Sequence, residues 1–199
     1  MTLLSIWVKS RRMLSLFISI AGMLLSVTGC QSTLTGSGST RECKYTLKKR
    51  NSYISCIPEK SFFPLLCHLP VKVTERSIRQ MFSSIERSLG TPYRLGGTTP
   101  EGFDCSGFVS YIYKQNFRLL LPRTAEEQAS LGNVVQRKEL KVGDLVFFST
   151  ERGKIDHVGL FIGKNSFAHA ATGGIMINSL TENYYDHHYC FATRLVMVQ

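Results

Sequence analysis

One cysteine and two histidines in the C-terminal part of the chain have the types and order required for a sulfur nucleophile and its base: Cys105, His157 and His169. Cys105 directly follows Asp104, a natural N-cap, in the first turn of a predicted helix. Unpaired backbone N–H groups at such an end favour a thiolate and lower a thiol pKa from ~8.5 into a range of about 3.5–7.5. We therefore expect Cys105 to be ionised near neutral pH and to attack an acyl carbon, with an imidazole as its proton acceptor. The alternatives are an inert buried thiol and histidines that are satisfied core residues.

Apolar periodicity predicts the helix that carries Cys105 and one helix before it. Residues 78–89 repeat apolar side chains at helical spacing and end at a Gly and a Pro. A second stripe runs from Cys105 to Ile112 and turns the sulfur towards the interior of the domain. Thr124 and Glu127 fit a capping box, so a short third helix is expected there.

After Gly143 the pattern becomes that of strands rich in β-branched and aromatic residues. Helices first and strands second predict an α+β domain in which an antiparallel sheet packs on helices. His157 and His169 fall in two neighbouring candidate strands. The candidate strands are residues 144–149, 157–163, 167–171, 175–180 and 190–198.

The pairing of the two histidine strands carries a geometric condition. If Lys164 and Asn165 form a tight two-residue hairpin, His169 pairs with Leu160, three positions from His157. An odd offset puts the two side chains on opposite faces of the sheet. The imidazoles can therefore meet only if a bulge, a different loop or a strand bend changes the register.

A secretion signal is predicted at the N-terminus. A basic cluster at residues 9–12 precedes the apolar run 13–27, which is shorter than the about 20 residues that a membrane-spanning helix needs. The run ends in VTGC (27–30), which resembles the lipobox of bacterial lipoproteins, where the signal is removed and the cysteine carries lipid. We expect residues 1–29 to be a lipoprotein signal peptide and Cys30 to be lipidated. The alternative is a plain buried N-terminal helix.

Length, composition and charge limit the possible classes of protein. With 199 residues, 43% of them hydrophobic, the chain fits one folded domain plus short extras and not a disordered protein. Its net charge is +10, and it stays at +7 without residues 1–29. In a secreted protein this balance suits an anionic wall or membrane surface rather than nucleic acid.

Residues 30–73 comprise the lipidated Cys, a flexible Gly/Ser/Thr tether and a Cys-containing extension, which could be pinned by disulfides or be a poorly ordered arm.

The chain contains six cysteines, and an oxidising compartment would permit disulfides. With Cys30 lipidated and Cys105 reserved for chemistry, four cysteines remain, and the sequence leaves their three possible pairings open. No CxxC pair occurs, which argues against a zinc site built on that spacing. The four cysteines are Cys43, Cys56, Cys67 and Cys190.

Six short motifs, each weak alone, follow an order that closely resembles the NlpC family of bacterial cell-wall peptidases, especially the lipoprotein murein endopeptidases of Gram-negative bacteria. The likeness covers about residues 74–199, which we expect to be the peptidase domain. It implies a papain-like α+β fold, with N-terminal helices packed on a C-terminal antiparallel β-sheet. The motifs are TPYRLGG (91–97), GFDCSGFV (102–109), LPRT (121–124), GDLVFF (143–148), HVGLFIG (157–163) and FAHA (167–170).

The resemblance implies a role for each residue of the site. Cys105 matches the nucleophile, His157 the general base, and His169 the third, polar residue that orients the base. Tyr93 matches a tyrosine beside the nucleophile and is expected to help stabilise the oxyanion, together with backbone N–H groups at the helix start. No metal and no organic cofactor is implied.

The implied substrate is peptidoglycan, cleaved at an amide bond of a stem peptide or crosslink. The bond is either the D-glutamyl–diamino acid bond or the diamino acid–D-alanine crosslink, and the likeness favours the crosslink. We expect a monomer held in the cell envelope by its lipid anchor, and Gln31 after the lipidated cysteine favours the outer membrane, facing the periplasm. The alternatives are a non-catalytic envelope lipoprotein that binds murein or a partner on the same fold, and a papain-like amidase or acyltransferase.

Overall fold

The computed structural model describes residues 49–58, 63–150 and 153–199 of the protein. The expected signal peptide 1–29, Cys30, the tether and Cys43 lie outside the described residues, so the expectations for them stay predictions. Within the described part, no helix is both long enough and apolar enough to cross a membrane.

The described residues form four α-helices and thirteen strands. The helices are α1 (Glu75–Ser88), α2 (Cys105–Phe117), α3 (Ala125–Ala129) and α4 (Asn183–His188). The strands are β1 (Tyr53–Cys56), β2 (Leu65–His68), β3 (Val71–Val73), β4 (Thr98–Thr99), β5 (Gly102–Phe103), β6 (Leu119–Leu120), β7 (Asn133–Val135), β8 (Leu145–Phe148), β9 (His157–Gly163), β10 (Ser166–Ala171), β11 (Gly174–Ser179), β12 (Tyr189–Arg194) and β13 (Val196–Val198).

Helix α2 forms the centre of the helical layer. It packs against α1 on one side and against β9 and β10 on the other. Four of its side chains have no exposed surface: Phe108, Val109, Ile112 and Tyr113. Burial of this apolar surface contributes about 1.5–3 kcal/mol per large side chain, so the helix that carries Cys105 is held firmly in the core.

The main sheet has six strands in the order β11-β10-β9-β8-β12-β7, and all neighbours are antiparallel. Alternate residues of β8 enter two different cores. Leu145 and Phe147 pack in the cluster that contains α2, whereas Val146 and Phe148 pack in a second cluster on the other face. An antiparallel sheet packed on helices confirms the predicted α+β class.

A β-bulge satisfies the geometric condition on the two histidines. Lys164 and Asn165 both have positive φ, and Ser166 pairs with Gly163, as the tight hairpin requires. The register then shifts between Ser166 and Phe167, so that Phe167 pairs with Phe161. Because of this one-residue shift, the position opposite His169 is an even number of residues from His157. The two histidine side chains therefore lie on the same face of the sheet.

The described part of residues 30–73 is attached to the domain at several places. Strand β1 pairs with β2 on one side and with β6 on the other, which forms a small three-stranded sheet. A disulfide joins Cys56 in β1 to Cys67 in β2. The guanidinium of Arg50 donates hydrogen bonds to the backbone carbonyls of Ala129, Leu131 and Gly132. Strand β3 pairs in parallel with β13 at the end of the chain. Of the two possibilities that the sequence left open for this extension, these segments show the disulfide-pinned one.

Candidate active site

The start of α2 is fixed by Asp104 and by close backbone packing. Asp104 Oδ1 accepts a hydrogen bond from the Gly107 amide at 2.7 Å, and the Asp104 carbonyl accepts one from the Phe108 amide at 2.9 Å. The carbonyl oxygen of Gly97 lies so close that a Cβ on Gly107 would approach it to 2.0 Å. Asp104 is therefore the helix cap that the sequence predicted, and the position of Cys105 follows from backbone contacts.

The carboxylate of Asp104 is also held by Arg123. The guanidinium donates to both carboxylate oxygens, at 3.1 and 2.5 Å, and to Ser106 Oγ at 2.9 Å. Burial alone would raise the pKa of Asp104, but these hydrogen bonds outweigh it and hold the pKa below its usual range. Arg123 is thus engaged in holding the helix cap.

The sulfur of Cys105 lies against the beginning of β9. Its Sγ is 3.9 Å from the carbonyl oxygen of Asp156, and the backbone amide of Val158 is close enough to act on the pKa of the thiol. These two backbone groups flank His157 in the chain. The helix start and the strand that carry the predicted nucleophile and base are therefore adjacent.

Burial raises the pKa of the Cys105 thiol, and the nearby Asp104 carboxylate adds to the increase. The amides of Val158, Ser106 and Cys105 itself act in the opposite direction, as expected at a helix start, but the desolvation of the sulfur prevails. The contact with the Asp156 carbonyl, which can only accept, also favours an S–H group. The expectation of a thiolate at neutral pH is therefore wrong for the free protein, because it considered the helix end and not the burial of the sulfur.

The two histidines form a hydrogen-bonded pair. His157 Nε2 and His169 Nδ1 are 2.8 Å apart, and the two rings are nearly perpendicular at an interplanar angle of 86°. His169 has no exposed surface, whereas His157 is partly exposed. Because Nε2 of His157 is engaged with His169, Nδ1 is the nitrogen of the His157 ring that remains for another partner.

The hydrogen bonds continue beyond His169 towards the surface. His169 Nε2 is 2.9 Å from Asn178 Oδ1, and Asn178 Nδ2 donates to the carboxylate of Glu182 at 2.9 and 3.2 Å. We call these four residues, His157, His169, Asn178 and Glu182, the histidine relay. The relay starts at β9, crosses β10 and β11, and ends at the residue before α4.

Both imidazoles of the relay favour the neutral form. Burial lowers the pKa of His157 to about 3, and the neighbouring His169 contributes to the decrease. Burial also lowers the pKa of His169, partly offset by the hydrogen bond to Asn178 and the charge of Glu182. A neutral imidazole has a nitrogen without a proton, so it can act as the base that accepts a thiol proton during attack.

The fold and this geometry can be compared with known proteins. The sequence model of the NlpC/P60 family matches residues 90–194, just over half of the chain. The chain belongs to the NlpC/P60 family. The family predicted from the six motifs is thereby confirmed.

Two relatives and one solved structure illustrate the similarity of this NlpC/P60 chain. Murein DD-endopeptidase MepH from Escherichia coli (strain K12) is 36% identical over 185 residues, which cover 86% of the chain and 68% of that protein. Murein DD-endopeptidase MepS/Murein LD-carboxypeptidase from the same strain is 46% identical over 111 residues, which cover 54% of the chain and 57% of that protein. A crystal structure of an NlpC/P60 family protein from Bacillus cereus ATCC 10987 has a TM-score of 0.57 at 29% identity, covering 66% of the chain and 44% of that structure. This likeness supports the predicted papain-like fold.

The NlpC/P60 site opens to solvent through a cleft of about 470 Å³. Its walls include the aromatic rings of Tyr93, Tyr184 and Tyr185 together with both histidines of the pair. Burial raises the pKa of Tyr93, and the charge of an ionised Cys105 raises it further, which places the phenol in the electrostatic range of the sulfur. The structure therefore brings Cys105, His157, His169 and Tyr93 into one region, as predicted, whereas Cys30 lies outside the described residues.

Sequence reasoning missed the outer part of the relay. Asn178 and Glu182 belong to no motif of the family resemblance, and Tyr185, whose hydroxyl lies 3.3 Å from His169 Nε2, was equally unnoticed. The available signal was weak: a polar Asn in the apolar strand β11, followed four residues later by an acid. Only the tertiary structure shows that Asn178 and Tyr185 lie next to His169 and that Glu182 holds Asn178.

Proposed function

We propose that the protein is a peptidoglycan endopeptidase that uses Cys105 as nucleophile, His157 as general base and His169 as the residue that orients the base. The observation that carries the proposal is the hydrogen-bonded histidine pair on strands β9 and β10, together with the contact of the Cys105 sulfur with the backbone carbonyl of Asp156, the residue just before β9. The names of its relatives, murein DD-endopeptidases, supply the substrate class. The protein acts on the cell wall.

The reaction begins from a neutral thiol and a neutral imidazole. As Cys105 Sγ attacks the amide carbonyl of a stem peptide, its proton moves to His157 Nδ1, because Nε2 is engaged with His169. The negative charge on the carbonyl oxygen is stabilised by backbone amides at the start of α2, and the hydroxyl of Tyr93 assists. His157 then gives the proton to the leaving amine, and water activated by the same imidazole hydrolyses the thioester.

The bond cleaved is the crosslink between the diamino acid and D-alanine. The relatives MepH and MepS are both named for D,D-endopeptidase activity, which favours this bond over the D-glutamyl–diamino acid bond. The open cleft with its aromatic walls can admit a branched peptide from solvent. No metal or organic cofactor takes part in this mechanism.

A lipid anchor at Cys30 would hold the monomeric enzyme at the outer membrane, facing the periplasm. This placement depends on the VTGC segment and on Gln31, both outside the described residues. Intact mass of the chain purified from membranes should show cleavage before Cys30 and added lipid. A Cys30→Ser variant that keeps the same lipid mass would exclude this anchor.

Digestion of purified sacculi tests the activity. The wild type should release uncrosslinked muropeptides identified by mass spectrometry, and Cys105→Ala should release none while keeping the wild-type melting curve. Cys190→Ala is the control, since it removes a different cysteine, which is partly buried, and should keep cleavage.

Four other outcomes would contradict parts of the proposal. Hydrolysis by Cys105→Ala would exclude Cys105 as nucleophile. Products cut between D-glutamate and the diamino acid would exclude the crosslink as the bond. Transferred acyl groups would indicate an acyltransferase, and binding to sacculi without any hydrolysis would indicate a binding protein.

A further inference from the structure

We propose that Glu182, acting through Asn178, sets the proton positions on both histidines and so keeps His157 Nδ1 unprotonated, as its role as general base requires. The inference assigns Asn178 and Glu182 as positioning residues, and it rests on the proposed function. Neither residue touches the reacting atoms. Their effect is transmitted by the hydrogen bonds of the histidine relay.

At the outer end of the relay, the hydrogen bonds can run in only one donor-to-acceptor direction. A carboxylate accepts hydrogen bonds and donates none. The Glu182 carboxylate accepts from the Ser179 backbone amide at 2.7 Å and from Asn178 Nδ2 at 2.9 and 3.2 Å. The NH₂ group of Asn178 must therefore face Glu182, and the amide oxygen must face His169.

The polarity then passes through both imidazoles. Because Asn178 Oδ1 only accepts, His169 Nε2 must carry the proton and donate it across 2.9 Å. In a neutral imidazole the other nitrogen, Nδ1, is then an acceptor. It accepts from His157 Nε2–H across 2.8 Å, so His157 Nδ1 is left without a proton. This is the tautomer that can receive the thiol proton of Cys105.

The surroundings of His169 enforce this order. The ring has no exposed surface, so water cannot repair a mismatched hydrogen bond. The hydroxyl of Tyr185 lies 3.3 Å from His169 Nε2 and 3.5 Å from Asn178 Oδ1. It can accept from the first and donate to the second, which is compatible with the same polarity. Burial lowers the pKa of His169, so the ring is neutral and its tautomer matters.

A single isosteric substitution should reverse the relay. In Glu182→Gln, the new side-chain amide must keep its oxygen with the Ser179 backbone amide, so its NH₂ group faces Asn178 Nδ2. Two donors would meet, and Asn178 would turn its oxygen to the new side-chain amide and its NH₂ group to His169 Nε2. His169 would then donate from Nδ1, and the proton of His157 would move to Nδ1, so that this nitrogen could no longer accept the thiol proton.

A second substitution should restore the original order. In the double variant Asn178→Asp with Glu182→Gln, one carboxylate oxygen at position 178 accepts from His169 Nε2, and the other accepts from the new amide at position 182. The net charge of the pair equals that of the wild type. Glu86→Gln, on an exposed position of α1, is the matched control for the loss of one negative charge in the single variant.

The experiment compares these variants in the full chain by two readouts. The first is kcat/KM on a crosslinked muropeptide. The second is the ¹⁵N NMR spectrum of the histidine side chains, which separates protonated from unprotonated ring nitrogens without any substrate. Glu182→Gln should lower kcat/KM by at least about tenfold, with about 10⁴-fold as the upper limit for an imidazole held in the wrong tautomer. It should exchange the two ¹⁵N signals of His157, and the double variant should reverse both effects.

The two readouts separate failure of the inference from failure of the proposed function. Wild-type kcat/KM or unchanged His157 signals in Glu182→Gln would overturn the inference, as would a double variant that remains as impaired as the single one. If the wild type cleaves no muropeptide, the proposed function fails, and the ¹⁵N spectra still decide the proton positions. Thermal melts verify that each variant is folded.

Discussion

The two sides of the site are held in place by different means. On the helix side, Cys105 is fixed by backbone packing, with Gly107 pressed against the carbonyl of Gly97. On the strand side, His157 is fixed by side-chain hydrogen bonds that lead outward through the relay to the exposed Glu182. The position of the sulfur is thus set by main-chain geometry, whereas the protonation of the imidazole is set by replaceable side chains.

The comparison indicates how each side should respond to substitution. On the helix side, an added side chain would overlap with backbone atoms, and no rotamer change can relieve such an overlap. A substitution there should therefore disturb the whole helix start. A hydrogen-bond chain can be altered one link at a time, so the strand side should lose activity in steps while the fold persists.

Substitution of Gly107 should have the largest effect. The added methyl would lie 2.0 Å from the Gly97 carbonyl oxygen, so we expect Gly107→Ala to lose about 3 kcal/mol or more of unfolding free energy and most activity. Alanine is otherwise preferred over glycine inside a helix by about 1 kcal/mol, so a loss of stability can only come from the overlap. Urea unfolding measures the change in unfolding free energy. Gly173→Ala is the control, because its Cβ meets only the flexible end of Met176. A Gly107→Ala protein as stable as the wild type would contradict the helix-side half of the comparison.

Substitution of His169 should give a graded loss of activity in a folded protein. His169→Ala removes the acceptor for His157 Nε2–H, and kcat/KM should fall by about 10²–10⁴-fold because the base is no longer oriented. His169→Asn places an amide oxygen near the position of Nδ1, and we expect a loss of only about tenfold. Muropeptide kinetics and thermal melts distinguish the two. Equal losses in both variants would mean that His169 acts by packing against Phe167 and not as an acceptor.

The titration of Cys105 should give the smallest but most discriminating effect. Since burial raises the thiol pKa, the thiol is protonated at neutral pH, and iodoacetamide should label it with a midpoint above the ~8.5 of free cysteine. Peptide mass spectrometry at Cys105 across a pH series measures the midpoint. His157→Gln should leave it nearly unchanged, because a neutral imidazole does not stabilise a thiolate. A midpoint below about 7 that rises in His157→Gln would instead indicate a thiolate–imidazolium pair.

Local sequence signals were sufficient for the helix side. The apolar stripe from Cys105 to Ile112 and the cap at Asp104 depend only on neighbours within one or two turns, and both are present as predicted. The capping box of α3 at Thr124 is equally local and is present as predicted. The tight hairpin at Lys164 and Asn165, which the sequence analysis considered as a condition, is also local and is present. Periodicity and turn chemistry are properties of a few consecutive residues, so a sequence can specify them directly.

By itself, the sequence determined the family, the α+β class and the identity of the candidate nucleophile and base. The tertiary structure alone decided that a bulge after Ser166 puts His169 on the face of His157, and that Asn178 and Glu182 continue the chain of hydrogen bonds. It also reversed the expected ionisation of Cys105. The physical reason is common to all three: strand register and desolvation arise from residues far apart in the chain, and no local pattern encodes which of them will meet.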